Sequence, residues 1–187
     1  MWPQVIRVIR KKTVEGISVI GTVHGMSGAF LWTIYGIVAK VPSIAIANGV
    51  TFIAICFIIN AQVRVGVLSL SLLVAVQFVI ALIGIVVAII SVSIIGVMAI
   101  AIGGTAIIPQ TIRSARTSHQ VGLSALTAAM IAVMSASWAI YGAIIKDAFI
   151  IAPNFLIVPC ALFICIRAVI SHRRYDSTIA TVAVPAR

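Results

Sequence analysis

The chain has 187 residues, 63% of them hydrophobic and 9% charged, and its mean hydropathy is +1.27. Soluble domains hold about 45–50% apolar and about 25% charged residues, so a water-soluble protein is excluded, and with it an extramembrane enzyme. The net charge of +10 would suggest a nucleic-acid partner in a soluble chain; here only 3 residues are acidic and the bases stand between apolar runs, so the charge reports orientation in a lipid bilayer instead.

In chain order, the first segment carries Pro3, Gln4, Arg7, Arg10, Lys11 and Lys12. These early charges leave no apolar core and no small-residue cleavage site, so the segment is not a secretory signal. Ten helical residues reach about 15 Å, half the hydrocarbon thickness, so the first helix is expected to be incomplete, through a missing N-terminal portion or, alternatively, a naturally truncated protein. Full spans follow near residues 16–38, 42–62, 66–88, 91–112, 122–144 and 148–170. The run from Val65 to Pro109 is about twice as long as one span needs, so two helices must meet near Ile90 to Ser93.

A shift of 106 residues superimposes residues 3–48 on 109–154 without a gap. Identical pairs include Pro3/Pro109, Gln4/Gln110, Gly16/Gly122, Ser18/Ser124, Trp32/Trp138, Tyr35/Tyr141, Gly36/Gly142, Lys40/Lys146 and Asn48/Asn154. Shared hydrophobicity explains matching isoleucines, but not matching Pro-Gln, Trp, Lys and Asn. The bases divide unequally: Arg7, Arg10, Lys11, Lys12, Arg64, Arg113, Arg116, Arg167, Arg173, Arg174 and Arg187 fall on one side and Lys40 and Lys146 on the other. That split predicts a cytoplasmic C-terminus and cytoplasmic Pro-Gln loops; seven spans, once the first helix is completed, put the native N-terminus outside.

Trp32 and Asn48 are sixteen residues apart, as are Trp138 and Asn154, and each interval is centred on the lysine that marks the outer turn. Eight residues on either side, at about 1.5 Å each, place Trp and Asn about 12 Å below one surface on adjacent antiparallel helices. An unpaired amide in hydrocarbon costs several kcal/mol, so both asparagines are expected to face protein partners or a wet cavity. A flat ring beside an amide suits a pyranose, which has apolar faces and equatorial hydroxyls. The structural alternative is a helix-to-helix hydrogen bond and a packing anchor. Gly28 and Met134, one turn from the tryptophans, bear on the volume left for a solute.

Pro in Pro-Gln frees a carbonyl one turn back and weakens the helix there, which is hinge chemistry for Pro3, Gln4, Pro109 and Gln110. His24 is, tyrosines aside, the one titratable side chain well inside a span, and it matches Met130 in the other copy; a hydrogen-bonded neutral histidine is the plainer reading beside a proton relay. Glu15, Asp147 and Asp176 all fall outside the spans, which favours passive passage over ion coupling. Cys56, Cys160 and Cys165 lie in apolar runs without CxxC spacing or a neighbouring His and are read as packing residues; no metal and no cofactor is expected.

Pro-Gln, the downstream Gly-x-Ser, the Trp-x-x-Tyr-Gly segment and the Asn of the next helix together resemble the PQ-loop superfamily, in particular its SWEET and SemiSWEET (MtN3/saliva) sugar transporters. The resemblance implies an all-α polytopic membrane protein: two parallel three-helix repeats, residues 1–62 and 90–171, joined by a linker helix over 63–89 and followed by a cytoplasmic tail, 172–187. It also implies a central pocket between the repeats where Trp32, Asn48, Trp138 and Asn154 contact sugar, with Pro3 and Pro109 as hinges. Pro153 and Pro159 replace Ala47 and Ile53 of the first copy, so unequal motion of the halves is expected.

The function expected is facilitated, bidirectional, passive passage of a mono- or disaccharide across the plasma or inner membrane by alternating access. A PQ-loop carrier of amino acids or another organic solute, proton-coupled through His24, is the alternative. A seven-helix receptor or photosensor is a remote one, because residues 148–170 contain no Lys for a retinal Schiff base. The solute and the bilayer are the expected partners; a homo-oligomer is compatible with this reading.

Overall fold

A computed structural model of the chain describes residues 2–11, 14, 17–116 and 125–182. Among them there are eight α-helices and no strand: α1 (Trp2–Lys11), α2 (Val19–Val38), α3 (Pro42–Arg64), α4 (Leu70–Ile90), α5 (Val92–Gly103), α6 (Ile108–Arg116), α7 (Ala125–Ile144) and α8 (Ala148–Val182). Glu15, Gly16, Gly122 and Ser124 lie outside the described residues, as do the side chains of Pro3 and Gln4 within α1. Five segments are long and apolar enough to cross a bilayer: Pro42–Arg64, Leu70–Ile90, Val92–Arg116, Ala125–Ile144 and Ala148–Ser171. α2 has 20 residues but is not among them, because Thr22, His24 and Ser27 interrupt its apolar sequence.

The joint expected near Ile90 to Ser93 is one extended residue, Ser91, at φ −160°. Its N–H closes α4 by donating to the carbonyl of Val87, and its Oγ accepts from the N–H of Ile94 to cap α5.

The chain divides into two compact units, Met1–Ala106 and Ile107–Arg187. In the first, α2 packs against α3, α4 and α5, and α1 lies along α3. Ala29, Ile55, Ile59, Leu68 and Leu73 form its main apolar cluster, and Val5 joins Ala54 and Ile58 in a second. In the second unit, α7 runs along α8 and α6 packs on α8.

Both units contain the same tight hairpin. Lys40 and Lys146 each adopt φ 58°, the left-handed conformation that ends a helix in a Schellman turn. Val41 N–H donates to Gly36 O at 2.8 Å, and Asp147 N–H donates to Gly142 O at 2.8 Å. The next helix is then started in two different ways. Pro42 stands at the first turn of α3, where its missing N–H costs nothing, whereas Asp147 Oδ1 accepts from Phe149 N–H (2.9 Å) and Ile150 N–H (3.3 Å) to cap α8.

The fifth span was expected to run to residue 112 with Pro-Gln at its end; the structure gives a span over Val92–Arg116 that is interrupted before Pro-Gln. α5 stops at Gly103, a 3₁₀ turn covers Gly104–Ile107, and α6 restarts with Pro109 as its second residue. Pro109 has no N–H for the carbonyl of Thr105, and its ring crowds that carbonyl, so the ladder yields in the turn before the proline. The boundary between the two compact units falls inside this 3₁₀ turn.

A side chain at Gly36 would collide with the backbone of Ala45, while one at Gly142 would meet side-chain atoms of Ile150 and Ile151 at 3.1 and 2.9 Å. Backbone cannot move aside as a rotamer can. Gly36→Ala should therefore destabilise the protein by about 1–3 kcal/mol and Gly142→Ala by clearly less, read as the loss in thermal midpoint of each variant in detergent.

Candidate solute site

The helix ends set the depth of the four candidate residues. Trp32 lies six residues before the end of α2 and Asn48 six after the start of α3; Trp138 and Asn154 stand in the same relation to the ends of α7 and α8. Six residues at about 1.5 Å give about 9 Å from the turn, less than the 12 Å expected, because the turn itself occupies the residues around the lysine. The matched depth is retained in both units.

Each tryptophan has an aromatic neighbour one turn on. Trp32 and Tyr35 meet edge to face with centroids 5.5 Å apart, and Trp138 and Tyr141 do so at 5.7 Å. Trp32 is half-buried against α5, where a side chain at Gly103 would come within 2.6 Å of its Nε1.

The asparagines differ from expectation in one respect. Asn48 Nδ2 donates to Ile44 O at 3.0 Å and Asn154 Nδ2 to Ile150 O at 2.7 Å, each within its own helix. A short amide can reach the carbonyl one turn back, so one N–H is satisfied without any neighbouring helix or water. The other N–H and Oδ1 remain for a further partner in both units. Asn154 is buried, behind the equally buried Pro153, whereas Asn48 is half-buried.

A polar network lies elsewhere in the first unit. Gln77 Nε2 of α4 donates to Ser27 Oγ at 2.9 Å, and Gln62 Nε2 of α3 donates to Thr22 Oγ1 at 3.3 Å. His24 lies between these bonds, half-buried, and its Nε2 has no hydrogen-bond partner among the described residues. The hydrogen-bonded state expected for it is therefore not what the structure holds. His24 and Ser27 also line an otherwise apolar cavity of about 390 Å³ between α2 and α4, which Trp32 and Asn48 do not line. Repeat arithmetic offers the signal for this network: Thr22, His24, Ser27 and Gln62 match Ala128, Met130, Val133 and Ala168.

Of the residues expected to act as hinges, Pro109 is exposed and Gln110 half-buried in the first turn of α6, directly after the 3₁₀ break. No described group of three or more His, Cys, Asp or Glu residues is arranged to hold a metal.

These features define a polytopic helical membrane protein with the same tight helical hairpin in each of two compact units. Comparison with known proteins specifies the class. Residues 3–61 match the family model described as "Sugar efflux transporter for intercellular exchange". The structure is similar to that of a eukaryotic SWEET transporter solved at 3.7 Å, with a TM-score of 0.74 and 19% identity over 92% of this chain and 88% of that one. No curated protein sequence matches the chain. Residues 3–61 thus resemble that family in sequence, and the chain has the fold of a SWEET transporter.

Within the second unit, Arg167 Nε of α8 donates to Ser114 O at 3.1 Å, engaging a carbonyl in the last turn of α6. Such a charged hydrogen bond is worth about 1.5–3 kcal/mol. Arg167→Gln is expected to lower hydrogen-exchange protection across residues 108–116 by about tenfold, while protection in α7 stays as it was.

Proposed function

We propose that the protein carries a small sugar passively in both directions, with Trp32, Asn48, Trp138 and Asn154 as its solute contacts. The observation that carries this reading is the duplicated pair at matched depth, whose amides keep an N–H and Oδ1 uncommitted. An aromatic face stacks on the apolar side of a pyranose while the amide meets its hydroxyls. The family description, which names sugar efflux, supports the solute class. Pro109, with the 3₁₀ turn before it, is the flexible point in the second repeat, and we assign Pro3, with Gln4, the same role in the first. The arginine-rich ends and the C-terminus face the cytoplasm of a plasma or inner membrane, by the eleven-to-two division of bases. None of the three carboxylates falls in a segment read as a span, so uniport is favoured over ion coupling.

The test is uptake of labelled glucose and sucrose by liposomes containing the purified protein. Asn48→Ala and Asn154→Ala should each abolish uptake with helicity retained. Trp32→Phe and Trp138→Phe should retain part of it, and the Ala variants none, because ring stacking contributes about 0.5–1.5 kcal/mol that a phenyl partly preserves. Wild-type rates in both asparagine variants would remove the site.

A second reading, proton-coupled carriage of an organic solute, is favoured by the unpartnered Nε2 of His24. The two readings differ in accumulation. Under uniport the solute equilibrates with or without a proton gradient, and His24→Gln leaves uptake and its pH profile nearly unchanged. Concentrative uptake that collapses with a protonophore and is lost in His24→Gln would instead select the coupled carrier.

A further inference from the structure

In α5, Gly103 is the backing on which Trp32 rests. A methyl group at this position would come within 2.6 Å of Trp32 Nε1 and 2.9 Å of Cδ1, closer than side-chain carbons approach any neighbour, whereas Gly28 Cα would be an ordinary 3.6 Å away. The indole is thus the obstacle. The ring also meets Tyr35 edge to face at 5.5 Å, and Tyr35 is only 2% exposed, so the indole cannot move toward it without disturbing the core of the unit. Gly28 has a different task. A methyl group there would meet the backbone of Gly103 itself at 2.9 Å, so Gly28 sets how closely α2 and α5 cross.

We propose that Gly103 is a positioning residue for the solute site, fixing the plane of Trp32 by letting the edge of its indole lie directly on the α5 backbone. This rests on the reading of Trp32 as a solute contact. In the second pair Trp138 retains its tyrosine at 5.7 Å, and Met134 stands where the first copy has Gly28. The orientation of the Trp32 ring is therefore set by a residue of α5, three helices on in sequence.

A double-mutant cycle with a control tests this. Gly103→Ala is expected to lower sugar uptake efficiency about tenfold alone and less than about twofold in the Trp32→Phe background, since touching side chains couple by about 0.5–3 kcal/mol and the smaller ring clears the methyl. Gly28→Ala, which meets backbone, should cost the same in both backgrounds. If Gly103→Ala fails to fold alone but folds together with Trp32→Phe, the indole is equally identified as the obstacle. Equal losses for Gly103→Ala in the two backgrounds would overturn the proposal. An independent readout needs no transport: with Trp2→Phe and Trp138→Phe in place, Gly103→Ala should shift the emission maximum of Trp32. An unchanged spectrum overturns the seat. A shifted spectrum supports it even if no Trp32 variant affects uptake, an outcome that would remove Trp32 from the solute site instead.

Discussion

Close approach of backbones through glycine is the constraint on which the first unit depends. In a bilayer, burying apolar side chains yields little driving force between helices, so association rests on contact distance and on polar bonds. α2 is met in this way from three directions: Gly36 admits the backbone of Ala45 in α3, Gly28 admits Gly103 in α5, and Gly84 of α4 receives the side chain of Leu31. Polar bonds then fix the rotation of α2 about its axis, through Gln77 to Ser27 and Gln62 to Thr22. The interruptions that lower the hydropathy of α2 are these same residues, turned toward protein.

The two units carry related sequences in different packing situations, and the substitutions between them follow from that. The face of α2 that carries Ser27 packs against α4, whereas Met130, Val133 and Met134 of α7 are exposed. The second copy has the exposed Met130 and Val133 where the first has His24 and Ser27, and the buried Ala128 and Ala168 where the first has Thr22 and Gln62. Similar logic applies to the hairpins. One start signal is a proline that needs no donor, and the other is a carboxylate that accepts two N–H groups, yet both follow a lysine in the same backbone conformation.

Much of this was legible in the sequence, because helix ends and turns are governed by local chemistry. Lys40 and Lys146 marked the turns, and Ser91 lay in the predicted joint. The SWEET-type fold was implied by the resemblance that Pro-Gln, Trp, Tyr-Gly and Asn carry together. What was not legible depends on geometry between elements or on competition within one. Sequence spacing gave no reason to choose the backbone carbonyls of Ile44 and Ile150 as partners of the asparagines. Pro-Gln announced a weak point but not its place, since a proline disturbs the turn before it. The bond from Arg167 to Ser114 spans 53 residues and involves a backbone carbonyl, which leaves no trace in side-chain identity.

The packing of α5 on α2 bears on biogenesis. By sequence α5 opens the second repeat, yet by contact it is one of the helices that enclose α2, together with α3 and α4. During synthesis, then, α2 cannot complete its surroundings when the first repeat leaves the ribosome, nor when the linker helix does; it waits until Gly103 has been made and can dock on Gly28. The compact unit formed in this way runs to residue 106, well beyond the segment 3–48 that the internal repeat matches. A chain cut after α3 would therefore leave α2 without the helices α4 and α5 that pack on it.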